Sequence, residues 1–288
     1  MPRRGAATVG VGIVLAWRSV VLASQPELVW QNGFESADSC AWTHSEPPAT
    51  CDPEMVFVPA GDFSMGSASG SEVETPVHSV SLSAYWIDRS EVTVDAYAEC
   101  VAASACAAPN ETYGTNSACN WDAPTRGAHP VNCVDWAKAQ SYCSWSGKRL
   151  PTEAEWEKAA RGRDMRTYPW GADSPSCAYA LMNDPGNGGS GCGIGGTNVV
   201  GSRPAGTSPH GALDMAGNVW EWVGDWFGAG YYAESPATNP SGPATGTERV
   251  VRGGSWLNTA FSLRATHRGA LGPSFWGYSY GFRCARDT

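Results

Sequence analysis

Ten cysteines, spread from Cys40 to Cys284, constrain this chain more than any other feature. An even cysteine count in an exported protein reads first as a disulfide framework, and in a reducing compartment as metal or redox chemistry. The N-terminus decides between them. MPRR is followed by an apolar run from Ala6 to Trp17 and by small residues at VLASQ, which is the layout of a secretory signal peptide. Residues 1–24 are therefore expected to be removed, with cleavage after Ala23 or Ser24. Arg3, Arg4 and Arg18 leave too short an uncharged run to cross ~30 Å of hydrocarbon as an anchor. The mature chain should be secreted or periplasmic, with no membrane span.

Loss of the leader leaves 16 basic against 28 acidic residues, a net charge of −12. Such a surface repels a phosphate backbone and argues against nucleic acid as a partner. With 34 glycines and 20 prolines much of the chain must be loop, and 14 tryptophans supply the apolar area to bury beneath those loops.

Residues 25–54 lack helical period and read as an N-terminal extension, tied by Cys40 and Cys51. From Met55 onward short apolar runs alternate with Gly and Pro, and a domain over 55–288 is expected. The stretch 77–93 (VHSVSLSAYWIDRSEVT) alternates as a half-buried strand, with Val80, Leu82, Tyr85 and Ile87 inward. His78 opens it, as a hydrogen-bonded structural residue before a metal ligand. Three helices follow. The first is capped by Thr93, the second (VDWAKAQSYCSWSG) is stopped by Gly147, and the third (PTEAEWEKAARG) carries a Thr152–Glu155 capping box and ends at Gly162. Arg149 is expected to form an internal ion pair with Glu153 or Glu155, and Trp220 and Trp222 to share the core face of a strand. Beyond Gly162 only short strands and loops are legible, up to ERVVRGGSW and YGFRCAR. Spacing suggests the pairs Cys100–Cys106, Cys119–Cys133 and Cys177–Cys192, without fixing connectivity.

MVFVPAGDFSMGS, SEVTVDAY, HPVNCVDWAKAQSYCSWSGKRLPTEAEWEKAARG, YPWG, GALDMAGNVWEW, RVVRGGSW and GFRCAR occur in that order. Together they resemble the formylglycine-generating enzymes, or sulfatase-modifying factors, over about 55–288. The resemblance implies an α+β fold, a single compact loop-rich domain that varies the C-type lectin architecture. It also implies a disulfide between Cys143 and Cys284.

Family members that oxidise a substrate cysteine hold Cu(I) between two cysteines, placed two and seven residues after the aromatic of the GGS-aromatic turn. Soft thiolates suit Cu(I). Here those positions are Asn258 and Leu263, so copper is not expected. A related branch binds iron through three histidines, but His44, His78, His129, His210 and His267 show no such spacing. In DMAGNVWEW the carboxylates of Asp214 and Glu221 and the carbonyls of Gly217 and Val219 resemble a family calcium site, a mixed oxygen set of the kind Ca²⁺ takes. A second family calcium site, near Asn183, departs too far for assignment.

Two functions follow. One is a calcium-stabilised binding or structural module whose ligand surface, built from Trp256, Asn258, Arg264, Arg268 and Trp276, meets a protein, peptide or glycan. The other is a formylglycine-generating oxidase, or another oxidoreductase acting on a protein cysteine or small thiol.

Overall fold

The alternating stretch at 77–93 forms two strands, not one: β3 (His78–Leu82) and β4 (Tyr85–Asp88). The cause is visible in the residues. Val80 and Leu82 keep period two, but the next inward residue, Tyr85, is three positions on, so the alternation slips phase and the chain turns at Ser83 and Ala84. The Ser83 amide there donates to Asn239 Oδ1 at 2.8 Å. The two strands then take different partners.

In the computed structural model, which describes residues 54–288, β3 pairs antiparallel with β2 (Gly61–Met65). Strand β4 lies between β1 (Met55–Val58) and β9 (Ala285–Asp287) in a three-stranded antiparallel sheet. The leader at 1–24, the extension up to residue 53 and the Cys40–Cys51 tie lie outside the described residues. A four-stranded sheet has the order β7 (Gly269–Leu271), β6 (Arg249–Arg252), β5 (Trp220–Trp226), β8 (Tyr280–Phe282), with β8 parallel to β5 and the other neighbours antiparallel. ERVVRGGSW and YGFRCAR thus flank β5 on opposite sides. The chain is α+β, as expected.

All three helices form where their caps place them. Thr93 caps α1 (Val94–Ala102) and Asp135 caps α2 (Trp136–Trp145), beyond which Gly147 adopts φ +72°. Thr152 and Glu155 form both halves of the capping box on α3 (Glu153–Arg161). Every residue of α3 is buried, although five of the nine are charged. Such burial requires pairing. Glu153 receives Arg268 Nε and Nη2 at 2.6 and 2.8 Å, and Glu157 receives Arg252 and, at 3.0 Å, Arg161. Lys158 is satisfied by the carbonyls of Pro59 and Gly61 at 2.8 Å. Arg149 makes the internal pair with Glu155, through both guanidinium ends at 2.7 Å.

Two apolar cores flank this charged helix. One joins β1–β4 to Trp156, Met215 and Val223, and the other joins α1 and α2 to Trp220, Trp222, Val251 and Phe282. Among the described residues four disulfides close the loops: Cys100–Cys106, Cys119–Cys133, Cys177–Cys192 and Cys143–Cys284. No helix among the described residues is long and apolar enough to cross a membrane.

Candidate functional site

Strand β6 ends in a turn that only glycine tolerates. Gly253 and Gly254 have φ of +93° and +72°, and a Cβ on Gly254 would stand 2.9 Å from the Ser262 carbonyl. The turn carries Ser255 and Trp256 inward and lets the following loop fold back. Asn258 lands in that fold as an acceptor. Its Oδ1 takes the Ser255 amide at 3.1 Å, the Ser255 hydroxyl at 2.7 Å and the Trp220 indole N–H at 2.9 Å. Its backbone carbonyl takes the Asn183 amide at 2.9 Å. Leu263 is fully buried in a small cluster with Ala180, Met182 and Ala216. The positions where the resemblance puts copper thiolates therefore hold an amide engaged by three donors and an apolar side chain. Neither is a ligand for Cu(I), and the site does not fit that metal.

The residues expected to form a ligand surface separate into two groups. Trp276 and Asn258 are partly exposed, whereas Trp256 is 6% and Arg268 only 4% exposed. Arg268 is drawn inward by Glu153, and Trp256 is roofed by Tyr278 at a centroid distance of 5.9 Å. These two lie beneath the surface, not on it. Arg264 is committed to Glu74 through Nη1 and Nη2 at 2.8 and 2.7 Å, and its guanidinium covers Phe261. Burial by itself would raise the Glu74 carboxyl, but hydrogen bonds from His267, Arg264, Ser71 and Thr266 hold it well below the usual carboxylate range. What the segment presents to solvent is aromatic: Phe261, Phe275 and Tyr278.

The DMAGNVWEW turn is shaped by positive φ at Asp214, Gly217 and Asn218. Glu221 is fully buried and held by Arg283, whose Nε and Nη2 donate at 2.7 Å, and by the Trp156 indole at 2.7 Å. Arg283 also donates to the carbonyls of Asp88, Arg89 and Leu213, so the arginine of GFRC pins this turn to the end of β4. Asp214 accepts from the Gly201 amide. Beside it, Glu91 is buried against Asp214, the two carboxyl groups being close enough to share a proton, and it has no other side-chain partner among the described residues. Burial, reinforced by the charge of Asp214, pushes Glu91 well above the usual carboxylate range, and burial raises Asp214 as well. Of the three carboxylates only Glu221 is ion-paired, to Arg283, while Asp214 also feels the charge of Arg203.

The histidines take separate structural places. His78 Nδ1 lies 3.0 Å from the Pro76 carbonyl, and His129 Nδ1 lies 3.0 Å from Thr197 Oγ1. Among the described residues no three His, Cys, Asp or Glu side chains gather as a metal cluster on their own.

Residues 43–288 match the sulfatase-modifying factor enzyme 1-like domain. The chain belongs to that family. A formylglycine-generating enzyme from Streptomyces coelicolor is 36% identical over 81% of this chain and 89% of its own length. A serine/threonine-protein kinase, pkn1 of Chlamydia pneumoniae, is 37% identical over a similar stretch, but this chain spans only 38% of that protein. Among solved structures, PvdO from Pseudomonas aeruginosa superposes with a TM-score of 0.69 at 27% identity, covering 81% of this chain and 94% of its own. Treponema denticola variable protein 1 shares the fold, with a TM-score of 0.66 at 24% identity, 81% of this chain and 95% of its own being covered.

Within this sulfatase-modifying-factor-like domain, sequence reasoning missed Glu91, Ser255 and Arg283. Glu91 sits in SEVTVDAY and Arg283 in GFRCAR, both quoted as motifs, but nothing local to either shows that they meet at Asp214 and Glu221.

Proposed function

We propose that this protein is an exported, disulfide-linked, calcium-stabilised binding module that has given up the family's cysteine oxidation. One observation carries the reading: Asn258 and Leu263 replace the two thiolates, and each has a structural use of its own. The ligand surface is formed by the exposed C-terminal aromatics Phe261, Phe275 and Tyr278 and the partly exposed Trp276, with the Arg264 guanidinium over the Phe261 ring. Rigid aromatic rings with small polar neighbours suit a protein, peptide or glycan partner.

Calcium fits the remaining charge. Glu91, Asp214 and Glu221 are buried close together with only Glu221 ion-paired, to Arg283, and a bound cation would relieve their crowding. Asp214, Glu221 and the carbonyls of Gly217 and Val219 would hold the ion. Arg283 and Trp156 use about three of the roughly four lone-pair sites of Glu221, leaving one. The ion would supply charge compensation and no reaction step.

The alternative is an oxidase working without the usual ligands, supported by 36% identity across 89% of a formylglycine-generating enzyme. Copper-supplemented incubation with a Cys-x-Pro-x-Arg peptide, read by mass spectrometry, separates the two. Aldehyde formed above a buffer control would overturn the binding-module reading; an unchanged thiol supports it.

A further inference from the structure

A polar concavity lies where α2 faces β5 and β6, apart from the Asn258 turn and the Asp214–Glu221 cluster. Its centre is Arg249. The guanidinium is held between two indoles, 3.7 Å from the centroid of Trp136 and 3.5 Å from that of Trp226. Trp136 is fixed by its own N–H, which donates to the Val223 carbonyl at 2.8 Å, and Trp226 is the cross-strand neighbour of Arg249. The sandwich immobilises the cation without neutralising it. Among the described residues no carboxylate comes within ion-pair distance of Arg249, whereas the buried Arg252, Arg268 and Arg283 each have one. Asp225 acts on it only through space.

Only one end of the fork is used internally. Nη1 donates to the Gly224 carbonyl, and Nη2 has no acceptor among the described residues. The cavity beside it, about 280 Å³, is lined by Arg249, Arg149, Gln140, Ser144, Leu150 and Gly224. Gln140 and Ser144 stand four residues apart on α2 and share one face of it, so an amide and a hydroxyl project beside the free guanidinium edge. Arg149 adds a second guanidinium, though one balanced by Glu155 and Asp287.

We propose that this cavity binds a small oxyanion, a carboxylate or a sulfate. The ring faces block approach from above and below, which leaves the in-plane edge of Arg249 for a charge-assisted contact. Gln140 and Ser144 donate to the remaining oxygens. In a chain of net charge −9 an anion site must be built locally, and a cation held without a counter-ion is such a construction.

The test is a titration of the full mature chain with sodium acetate and, separately, sodium sulfate, against sodium chloride at matched ionic strength. The indole N–H signal of Trp136 is followed by heteronuclear NMR. Acetate or sulfate should shift that signal saturably where chloride does not, and the anion that saturates first identifies the ligand geometry. Gln140→Glu, at an exposed position, places a carboxylate of the chain's own in the cavity and should weaken binding by about tenfold or more. Arg249→Lys keeps the charge but loses the fork and should also weaken it; if that variant does not fold, Gln140→Glu decides alone. Equal responses to all three anions, or equal affinity in wild type and Gln140→Glu, overturn the proposal.

Discussion

The indole N–H of Trp220 donates to Asn258 Oδ1 at 2.9 Å, joining strand β5 to the loop after the double glycine across 38 residues of chain. Since the same oxygen also receives both the amide and the hydroxyl of Ser255, the Asn258 side chain organises the turn. Asn258→Ala would strand these donors. A loss of about 1–3 kcal/mol is expected in urea denaturation, with Asn258→Asp, which keeps the acceptor, losing less.

The ion pairs of α3 set a second expectation. Glu157 is the counter-ion of both Arg252 and Arg161, and all three are buried. Glu157→Gln removes that charge in place and should destabilise by about 3–5 kcal/mol, the range for breaking a buried pair from one side. A loss under about 1 kcal/mol would show that the arginines relax to other acceptors.

Calcium should raise the melting temperature and chelation should lower it. An ion that binds only the folded chain adds about 2.7 kcal/mol at 100 times its Kd. Asp214→Asn, which removes one of the crowded carboxylates, should melt nearer the chelated wild type and respond less to added calcium. Identical melting of the wild type in calcium and in chelator would falsify the site.

Acid should weaken the fold through His210. Burial, with Lys158, Arg163 and Arg166 nearby, lowers its pKa to about 4, and its Nε2 has no hydrogen-bond partner among the described residues. The unfolded chain takes up this proton near pH 6.5 and the folded chain only near 4, so stability falls as pH drops through that window. The loss should reach up to about 3 kcal/mol at the acid end. Denaturation curves of wild type and His210→Gln at several pH values should diverge only below about 6.5.

Local signals were the most legible. The Thr152–Glu155 capping box, Thr93 as a cap and Gly147 as a stop operate within one helical turn, and all appear as read. The break between β3 and β4 was also present, as the phase slip from Leu82 to Tyr85, but a run of alternating residues outweighed it. Arg264 and Arg268 read from sequence as surface residues because nothing near them along the chain could bury them. Their partners Glu74 and Glu153 are 190 and 115 residues away, and ion pairs at such distance leave no periodicity to read. Glu91 is hidden for the same reason. It looks like the polar end of a strand and becomes unusual only when Asp214 arrives beside it.

The bond between Cys143 and Cys284 spans 141 residues, and the chain-entropy estimate for a loop of that length is on the order of 4–5 kcal/mol. It also governs how a loop-rich chain responds to a protease. A single cut in any loop between the two cysteines leaves both pieces covalently joined, and the sheet β1-β4-β9 holds strands from either side of every such cut. Nicked molecules would migrate as one band until reduced, the cut showing only once the bridge is opened.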